Sequence, residues 1–345
     1  MTTWVRGADI SSLPEYELQG GHLRRNGQVI DSLSLLAGAG LNAVRIKVWN
    51  DPGHPDHFPA NQTGPQAFNG PDQVLALARR AQAAGLRIML DFHYSDWWAD
   101  PAKQFMPHAW QGLGVPDVCE QLYLFTHDTL RRLRDAGIEV EWVQVGNEIS
   151  HGMVWPHGFL PGNWPTLAAL LRAGIAAVRA ASPESRVVLH LDAGCDQHLY
   201  RHWFDQAAAL DVHWDIIGLS FYPCWHGALP HLAENLAMLA GRYACPLLVV
   251  ETAYPRLLDA QRNVQWLLQH TGAEPYPATP TGQAQFLQAL GKVLRTVPNG
   301  LGQGVFYWEP ALLPLADGSR GAWQNATLFA EDGEMLPSLQ ALGTL

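Results

Sequence analysis

Long hydrophobic runs are absent from this sequence: no stretch of its 345 residues reaches the ~18 unbroken apolar residues that span a membrane. Basic residues are also scarce, because 22 Lys and Arg stand against 32 Asp and Glu, a formal net charge of −10 with no basic cluster. Nucleic acids and anionic membranes bind basic surfaces, so neither is a predicted partner. The same charge disfavours polyanionic polymers but leaves neutral ones open.

Export signals and cysteine motifs are missing as well. The N-terminus, MTTWVRGADIS, has no charged segment followed by an apolar one. A cytoplasmic protein is therefore expected as the sequence stands, and a secreted one if a leader has been removed. The four cysteines, Cys119, Cys195, Cys224 and Cys245, form no C-x-x-C pair. Reduced, buried thiols are predicted, with one or two disulfides left open for an exported protein.

The hydrophobic pattern that is present predicts eight strands separated by helices. Eight short, near-continuous apolar segments end in polar or aromatic residues, as strands covered on both faces do: residues 4–11, 42–50, 87–94, 141–148, 186–192, 215–223, 246–254 and 304–310. Helical spacing occurs in residues 31–40, 71–85, 115–137, 164–182, 231–242 and 281–297. This alternation predicts an α/β fold, a single (β/α)8 TIM barrel that forms one catalytic domain over residues 1–345.

The first of these strands is the least well bounded. A doubly wound open sheet is therefore the alternative fold, although no G-x-G-x-x-G motif follows that strand.

In a (β/α)8 barrel the active site lies at the carboxyl ends of the strands. The residues there are acidic and aromatic, with one arginine and two histidines: Asp9, Arg45, Trp49, Asp91, His93, Asn147, Glu148, His190, Asp192, Tyr222, Glu251, Tyr254, Trp308 and Glu309. No H-x-H metal motif ends the first strand, and no glycine loop is suited to a phosphate. The only strand lysine, Lys47, is predicted to lie early in its strand with no specific partner.

Two carboxylates stand out, Glu148 at the end of the fourth predicted strand and Glu251 at the end of the seventh. Strands on opposite sides of a small barrel direct their last side chains into one cavity. Two facing carboxylates cleave glycosidic bonds, one as acid and the other as nucleophile or base. Two structural alternatives stay open: Asn147 as the N-cap of a helix, and Glu251 as a carboxylate held by a structural arginine.

Other side chains near these strand ends suit a sugar-binding cleft. Trp97, Trp98, Trp308 and Trp323 fall on loops or strand ends of the predicted catalytic face, where flat indoles can stack on sugar rings. An arginine such as Arg45 beside the nucleophile would keep it ionised. The loop histidines His54, His57, His151 and His157 are expected to be solvated, so no metal site and no cofactor is predicted.

Seven segments carry a family resemblance: GADISSLPEYE, LNAVRIKVWNDP, LDFHYSDWWADPAKQ, VQVGNEISHGMVWP, DIIGLSFYPCWHG, VVETAYP and GVFYWEP. They resemble glycoside hydrolase family 53, the endo-β-1,4-galactanases of the retaining clan A that act on arabinogalactan. The likeness runs from about residue 6 to about residue 340.

The resemblance implies Glu148 as general acid/base and Glu251 as nucleophile. It further implies that Asn147 binds the sugar 2-hydroxyl, that Arg45, His93 and Tyr222 orient the nucleophile and the sugar, and that Trp308 lies beneath that sugar. The SDWW segment, with Ser95, Asp96 and Trp98, matches a loop that grips sugars on the non-reducing side. Asp192, at the end of the fifth strand, is counted with the substrate-binding residues.

The sequence departs from the family pattern in two places. Ala193 and Cys195 stand in HLDAGCD where members often carry an amide and a tryptophan, which puts one sugar platform in doubt. Residues 256–282 offer only Asp259, Asn263 and Glu274, too scattered for the calcium site that several members hold in this loop.

The predicted protein is a retaining endo-β-1,4-galactanase that acts by double displacement on a neutral polysaccharide, as a monomer. The alternatives are another clan A endo-glycosidase, acting on mannan, xylan or β-glucan, and a barrel that binds galactan without cleaving it.

Overall fold

The computed structural model describes residues 3–53, 68–259, 266–314 and 321–345. Its strands in chain order are β1 (Val5–Asp9), β2 (Arg24–Arg25), β3 (Gln28–Val29), β4 (Ala43–Val48), β5 (Arg87–Phe92), β6 (Trp142–Val145), β7 (Arg186–Leu191), β8 (Ile216–Phe221), β9 (Leu247–Thr252) and β10 (Gly302–Tyr307). The strands β2 and β3 form a separate antiparallel pair, while the other eight close a parallel barrel. The predicted (β/α)8 fold is confirmed, and the open sheet is excluded.

The weakly bounded first strand closes the barrel. In β1, Ala8 pairs with Tyr307 of β10, and Asp9 pairs with Arg45 of β4. The eight predicted strand segments thus all contain a barrel strand, and Glu148 and Glu251 follow or end the fourth and seventh of them, β6 and β9.

The helices are α1 (Leu13–Leu18), α2 (Ser32–Gly38), α3 (Pro71–Ala83), α4 (Val115–Asp135), α5 (Trp164–Ala181), α6 (Gln197–Ala209), α7 (Pro223–His226), α8 (Leu229–Tyr243), α9 (Pro280–Arg295) and α10 (Pro337–Gly343). The six predicted helices are all present. The long helix α6 was missed, although Tyr200, Trp203, Phe204 and Ala207 have helical spacing and are buried, and Asp196 caps the helix by accepting a bond from the Leu199 N–H. None of the described helices is long and apolar enough to cross a bilayer.

The barrel interior is apolar toward the amino ends of the strands and polar toward their carboxyl ends. Side chains alternate along a strand, so every second residue points inward. In the apolar part, Trp142, the first residue of β6, and Phe306 of β10 pack edge to face with ring centroids 5.9 Å apart. Gly7 of β1 is required beside them, because a Cβ there would lie 2.3 Å from the Phe306 ring. This aromatic pair packs beneath the inward-facing polar residues near the carboxyl ends of the strands, which form the floor of the site.

Candidate active site

A cavity of about 580 Å³ opens at the carboxyl ends of the strands. Residues from six barrel strands or the loops that follow them line it: Trp98, Asn147, Glu148, Asp192, Tyr222, Glu251 and Trp308. This is the face on which the sequence predicted the site, and it brings together seven of the eleven predicted site residues.

The two glutamates face each other across this cavity. A carboxylate oxygen of Glu148 lies within 4.8 Å of one of Glu251, and the two residues are 8% and 6% exposed. The register between β8 and β9 shifts after Leu219, so that Ser220 pairs with Glu251. This irregularity sets Glu251 beside Ser220 at the rim of the cavity.

Glu251 is held by two donors. Arg45 Nη1 lies 3.2 Å from Oε2, and the Tyr222 hydroxyl donates to Oε1 at 2.6 Å. Burial raises the pKa of Glu251 to about 7, against the opposite influence of Arg45 and of the Tyr222 hydrogen bond. Both donors therefore favour the ionised carboxylate that a nucleophile requires.

Glu148 has the opposite electrostatic environment. Burial, then the negative charges of Glu251 and Asp192, raise its pKa well above the usual carboxyl value. Its backbone adopts the left-handed conformation, with φ 48° and ψ 52°, directly after the end of β6. Gln104 stabilises this turn, because its Nε2 donates to the Asn147 carbonyl at 2.8 Å. The two carboxyl groups are thus differentiated, with Glu148 the one that keeps its proton.

Arg45 is the centre of the buried polar layer. It is inaccessible to solvent and contacts three carboxylates: Asp9 at 3.0 Å, Asp91 at 2.8 Å and Glu251 at 3.2 Å. Burial lowers the pKa of the Arg45 guanidinium, but the three carboxylates outweigh burial and raise this pKa above its ordinary value. Arg45 lies beneath the cavity and acts on Glu251 rather than lining the wall.

Asn147 does not cap a helix. Its Oδ1 accepts a bond from Arg45 Nη2 at 2.7 Å, and its Nδ2 donates to the Ala99 carbonyl at 2.8 Å. The short 3₁₀ helix Ile149–His151 that follows receives no side-chain cap. The helix-cap alternative is therefore wrong, and the second Nδ2 proton of Asn147 is available to the cavity.

The expectation for Lys47 was also wrong. It lies near the end of β4, fully buried, with Nζ 2.6 Å from Glu309 and 3.4 Å from Asp9. Nζ also lies 4.3 Å from the ring centroids of both Trp98 and Trp308. The ammonium group thus supports the two indoles from below. The sequence could have predicted this position from strand alternation, because Lys47 is two residues from Arg45 and its side chain therefore points into the barrel interior as well.

Besides Arg45, three predicted substrate-binding residues do not line the cavity. His93 is 1% exposed, accepts from the Ala99 N–H through Nδ1 and pairs with Asp91 through Nε2. Ser95 accepts from the Trp97 N–H, and Asp96 accepts from the N–H groups of Asp51 and His108. These hydrogen bonds stabilise the conformation of the loop, and the predicted contact of these side chains with a sugar stays a prediction.

Aromatic side chains form one wall of the cavity. Trp97, Trp98, Trp308 and Trp323 all line it, as the sequence predicted. The Trp98 and Trp308 centroids are 5.6 Å apart, and those of Trp308 and Trp323 are 6.1 Å apart. Sequence reasoning missed Trp225, which extends this wall and is 49% exposed.

The cysteines and the two described loop histidines, His151 and His157, do not line the cavity. All four cysteines are free and half-buried, and neither Cys195 nor Ala193 lines the cavity. His151 is exposed as expected, whereas His157 is half-buried with Nε2 3.0 Å from the Leu113 carbonyl. His54 and His57 lie outside the described residues.

One described cluster has metal-like spacing, Glu148, His190 and Glu251. Both ring nitrogens of His190 already contact protein groups, Ser220 through Nε2 and Gln144 through Nδ1, so its fit to a metal is poor. In the loop considered for calcium, Glu274 accepts from the Leu229 N–H at 2.6 Å, and Asn263 lies outside the described residues.

Comparisons with known proteins agree with this geometry. Residues 5–342 match the sequence model of glycosyl hydrolase family 53. An uncharacterized protein of Niallia circulans is 40% identical over 98% of this chain and 93% of its own length. An arabinogalactan endo-beta-1,4-galactanase of Cellvibrio japonicus is 35% identical over 95% and 87%. The GH53 catalytic domain of Ignisphaera aggregans superposes with a TM-score of 0.90 at 33% identity, over 98% of this chain and 95% of that one.

Proposed function

Because this chain belongs to glycosyl hydrolase family 53, we propose that it is a single-domain, retaining endo-β-1,4-galactanase acting on galactan or arabinogalactan. The observation that carries the mechanism is the facing pair Glu148 and Glu251, within 4.8 Å of each other, with anionic neighbours that raise the pKa of Glu148 and donors that lower the pKa of Glu251. Retaining enzymes hold their carboxyl groups about 5–5.5 Å apart, whereas inverting ones leave room for a water between them.

In the first step Glu251 attacks the anomeric carbon of the bound galactosyl unit. Glu148 donates its proton to the glycosidic oxygen as the carbon–oxygen bond breaks, and the shortened chain leaves. The product of this step is an α-linked galactosyl ester of Glu251. The Arg45 and Tyr222 contacts keep the attacking carboxylate ionised and oriented.

In the second step Glu148, now a carboxylate, takes a proton from water as that water attacks the anomeric carbon. Glu251 leaves, and the new end of the chain has the original β configuration. The Glu148 pKa can serve both steps because the negative charge of Glu251 disappears in the ester, which lowers it.

Substrate binding is proposed for residues on the cavity wall. Asn147 Nδ2 would donate its second proton to the sugar 2-hydroxyl, and Trp308 with Trp98 would support the sugar face. The charged groups on the wall are acidic apart from Lys103, which is paired with Asp100 at 2.7 Å. A neutral polysaccharide fits such a wall better than a polyuronate does.

A substrate panel tests this assignment. Reducing ends should be released from pectic galactan and not from mannan, xylan, β-glucan or polygalacturonate, with early products of several lengths as an endo-enzyme gives. Faster release from one of the other neutral polymers would replace galactan as substrate and leave the mechanism intact. Saturable binding of galactan in calorimetry with no product would instead favour the non-catalytic alternative.

The pH profile gives a second test. Activity requires Glu251 ionised and Glu148 protonated, so kcat/KM should be bell-shaped with its acidic limb set by Glu251. Replacing Tyr222 by phenylalanine removes a hydrogen bond that lowers the Glu251 pKa, so the acidic limb should move to higher pH. Tyr94→Phe is the control, because its hydroxyl bonds Thr126 instead. An acidic limb that stays in place in Tyr222→Phe would contradict the assignment of that limb to Glu251.

A further inference from the structure

Glu148 belongs to a hydrogen-bonded chain that continues through two neighbouring strands. Ser220 Oγ of β8 lies 2.5 Å from Glu148 Oε1 and 2.8 Å from His190 Nε2 of β7. Ser220 and His190 are fully buried. Solvent therefore does not compete for these bonds, and their direction is set by protein groups alone.

The surroundings of His190 fix its tautomer. The backbone N–H of Glu148 can only donate, and it points at Nδ1 from 3.4 Å. The Gln144 amide nitrogen has two protons: Asp91 Oδ1, 2.5 Å away, accepts one, and Nδ1, Asn147 Oδ1 and the Gly146 carbonyl, each 3.1 Å away, share the other. Asn147 Oδ1 is also 3.0 Å from Nδ1, but it already accepts from Arg45 at 2.7 Å. Nδ1 is thus an acceptor and Nε2 carries the proton. Burial, then the charge of Arg45, lowers the His190 pKa well below its usual value, which keeps the ring neutral.

The single proton of the Ser220 hydroxyl can then be donated to only one acceptor. Its oxygen accepts from His190 Nε2–H, so its own proton is donated to Glu148 Oε1. An oxygen that accepts this bond is not the protonated one, so the acidic proton of Glu148 lies on Oε2. No hydrogen bond from Oε2 to any described residue is present, and Glu148 lines the cavity.

We infer that Ser220, itself oriented by His190, is a positioning residue that confines the acidic proton of Glu148 to the oxygen facing the leaving group. This inference rests on the proposed function, in which Glu148 is the acid/base. The proton moves from Oε2 to the glycosidic oxygen as the bond breaks, and Oε2 later takes one from water. The Ser220 proton stays on Ser220 throughout both steps.

Ser220→Ala tests the inference through the need for acid catalysis. For methyl β-galactobioside, whose leaving group must be protonated, kcat/KM should fall roughly 10- to 100-fold. For 2,4-dinitrophenyl β-galactobioside, whose leaving group departs as an anion, it should fall less than about threefold. The alkaline limb of the pH profile should move to higher pH, because the lost hydroxyl favoured the charged form of Glu148. Glu251, Asp192 and Asp100, the charged groups that face Glu148, remain in place.

Control variants separate positioning from folding. Ser220→Thr keeps the hydroxyl and should restore the leaving-group dependence of the wild type. Ser185→Ala removes a buried hydroxyl that donates to the Val140 carbonyl, outside the cavity, and should leave both substrates unaffected. Equal losses of Ser220→Ala on both substrates, or an unmoved alkaline limb, would overturn the inference.

Glu148→Ala makes failure of the inference distinguishable from failure of the proposed function. If that variant loses methyl galactobioside activity and, with added azide, converts 2,4-dinitrophenyl β-galactobioside to β-galactobiosyl azide with release of dinitrophenolate, the acid/base assignment stands, whatever Ser220→Ala does. If it shows neither behaviour, the proposed mechanism itself is wrong.

Discussion

Replacing Glu251 by alanine should lower galactan turnover by at least about 10⁴-fold, as expected when a nucleophile is removed. The variant keeps Glu148 as a proton donor and leaves space where the carboxylate stood. Added azide can enter that space and attack the anomeric carbon from the same face as Glu251. The product should be α-galactosyl azide, identifiable by NMR, whereas Glu148→Ala should give the β anomer.

The same variant should change the protonation of its partner. Burial is the largest cause of the raised Glu148 pKa and the charge of Glu251 is the second, so removing that charge should move the alkaline limb of the azide reaction to lower pH. Glu141→Ala is the control, since Glu141 pairs with Arg87 near the amino ends of the strands. Near-normal galactan turnover by Glu251→Ala would end its assignment as the nucleophile.

Replacing Arg45 by methionine should produce the largest loss of stability of any single change at the site. The side chain is fully buried between Asp9, Asp91 and Glu251, so its removal leaves three carboxylates without their shared cation. Breaking a buried charge pair costs about 3–5 kcal/mol in unfolding free energy, which denaturant titration can measure. Turnover should fall as well, because Glu251 loses a donor that favours its charged form.

The pH dependence of this stability loss identifies its cause. Burial already raises the pKa of Glu251 to about 7, and without Arg45 it should rise further above that of the unfolded chain, so the variant loses stability as pH rises and the deficit shrinks as pH falls. Arg80→Met is the matched control: Arg80 binds Glu17 at 2.7 Å but is 38% exposed, and such pairs contribute about 0–1 kcal/mol. A loss for Arg45→Met no larger than that of Arg80→Met would contradict the account.

Much of the fold could be predicted because the local pattern and the tertiary packing agree. A strand covered on both faces must be apolar on its helix-facing side, and this made the eight barrel strands visible. The position of Glu148 and Glu251 in one cavity could be predicted for the same reason, since both interrupt such segments at the end where a barrel binds its ligand. The helix α6 was missed although its spacing was present, because its polar face dilutes the hydrophobic pattern.

The polar layer beneath the pair was less predictable. Lys47 and Ser220 are small interruptions of apolar strands, and their partners are distant in sequence: Glu309 is 262 residues from Lys47, and Glu148 is 72 from Ser220. Alternation shows that both side chains point into the barrel, but only closure of the barrel shows what they meet there. For Ser95 and Asp96 a substrate-binding role stays a prediction, because a sequence motif on a loop does not reveal whether a side chain faces a sugar or the loop itself.

The carboxylates and the aromatic wall of the site stand on different kinds of backbone. The groups proposed to break the bond, with the arginine beneath them, stand on or directly after barrel strands, where sheet hydrogen bonds fix their positions. Much of the aromatic wall stands on the connecting loops and their short helices: Trp97 and Trp98 follow β5, Trp225 lies in α7 after β8, and Trp323 lies in a 3₁₀ helix after β10. Insertions and substitutions in these loops can alter which glycan is accepted without disturbing the reacting carboxylates. Substrate specificity in such a barrel can therefore evolve separately from catalysis, through changes in individual loops.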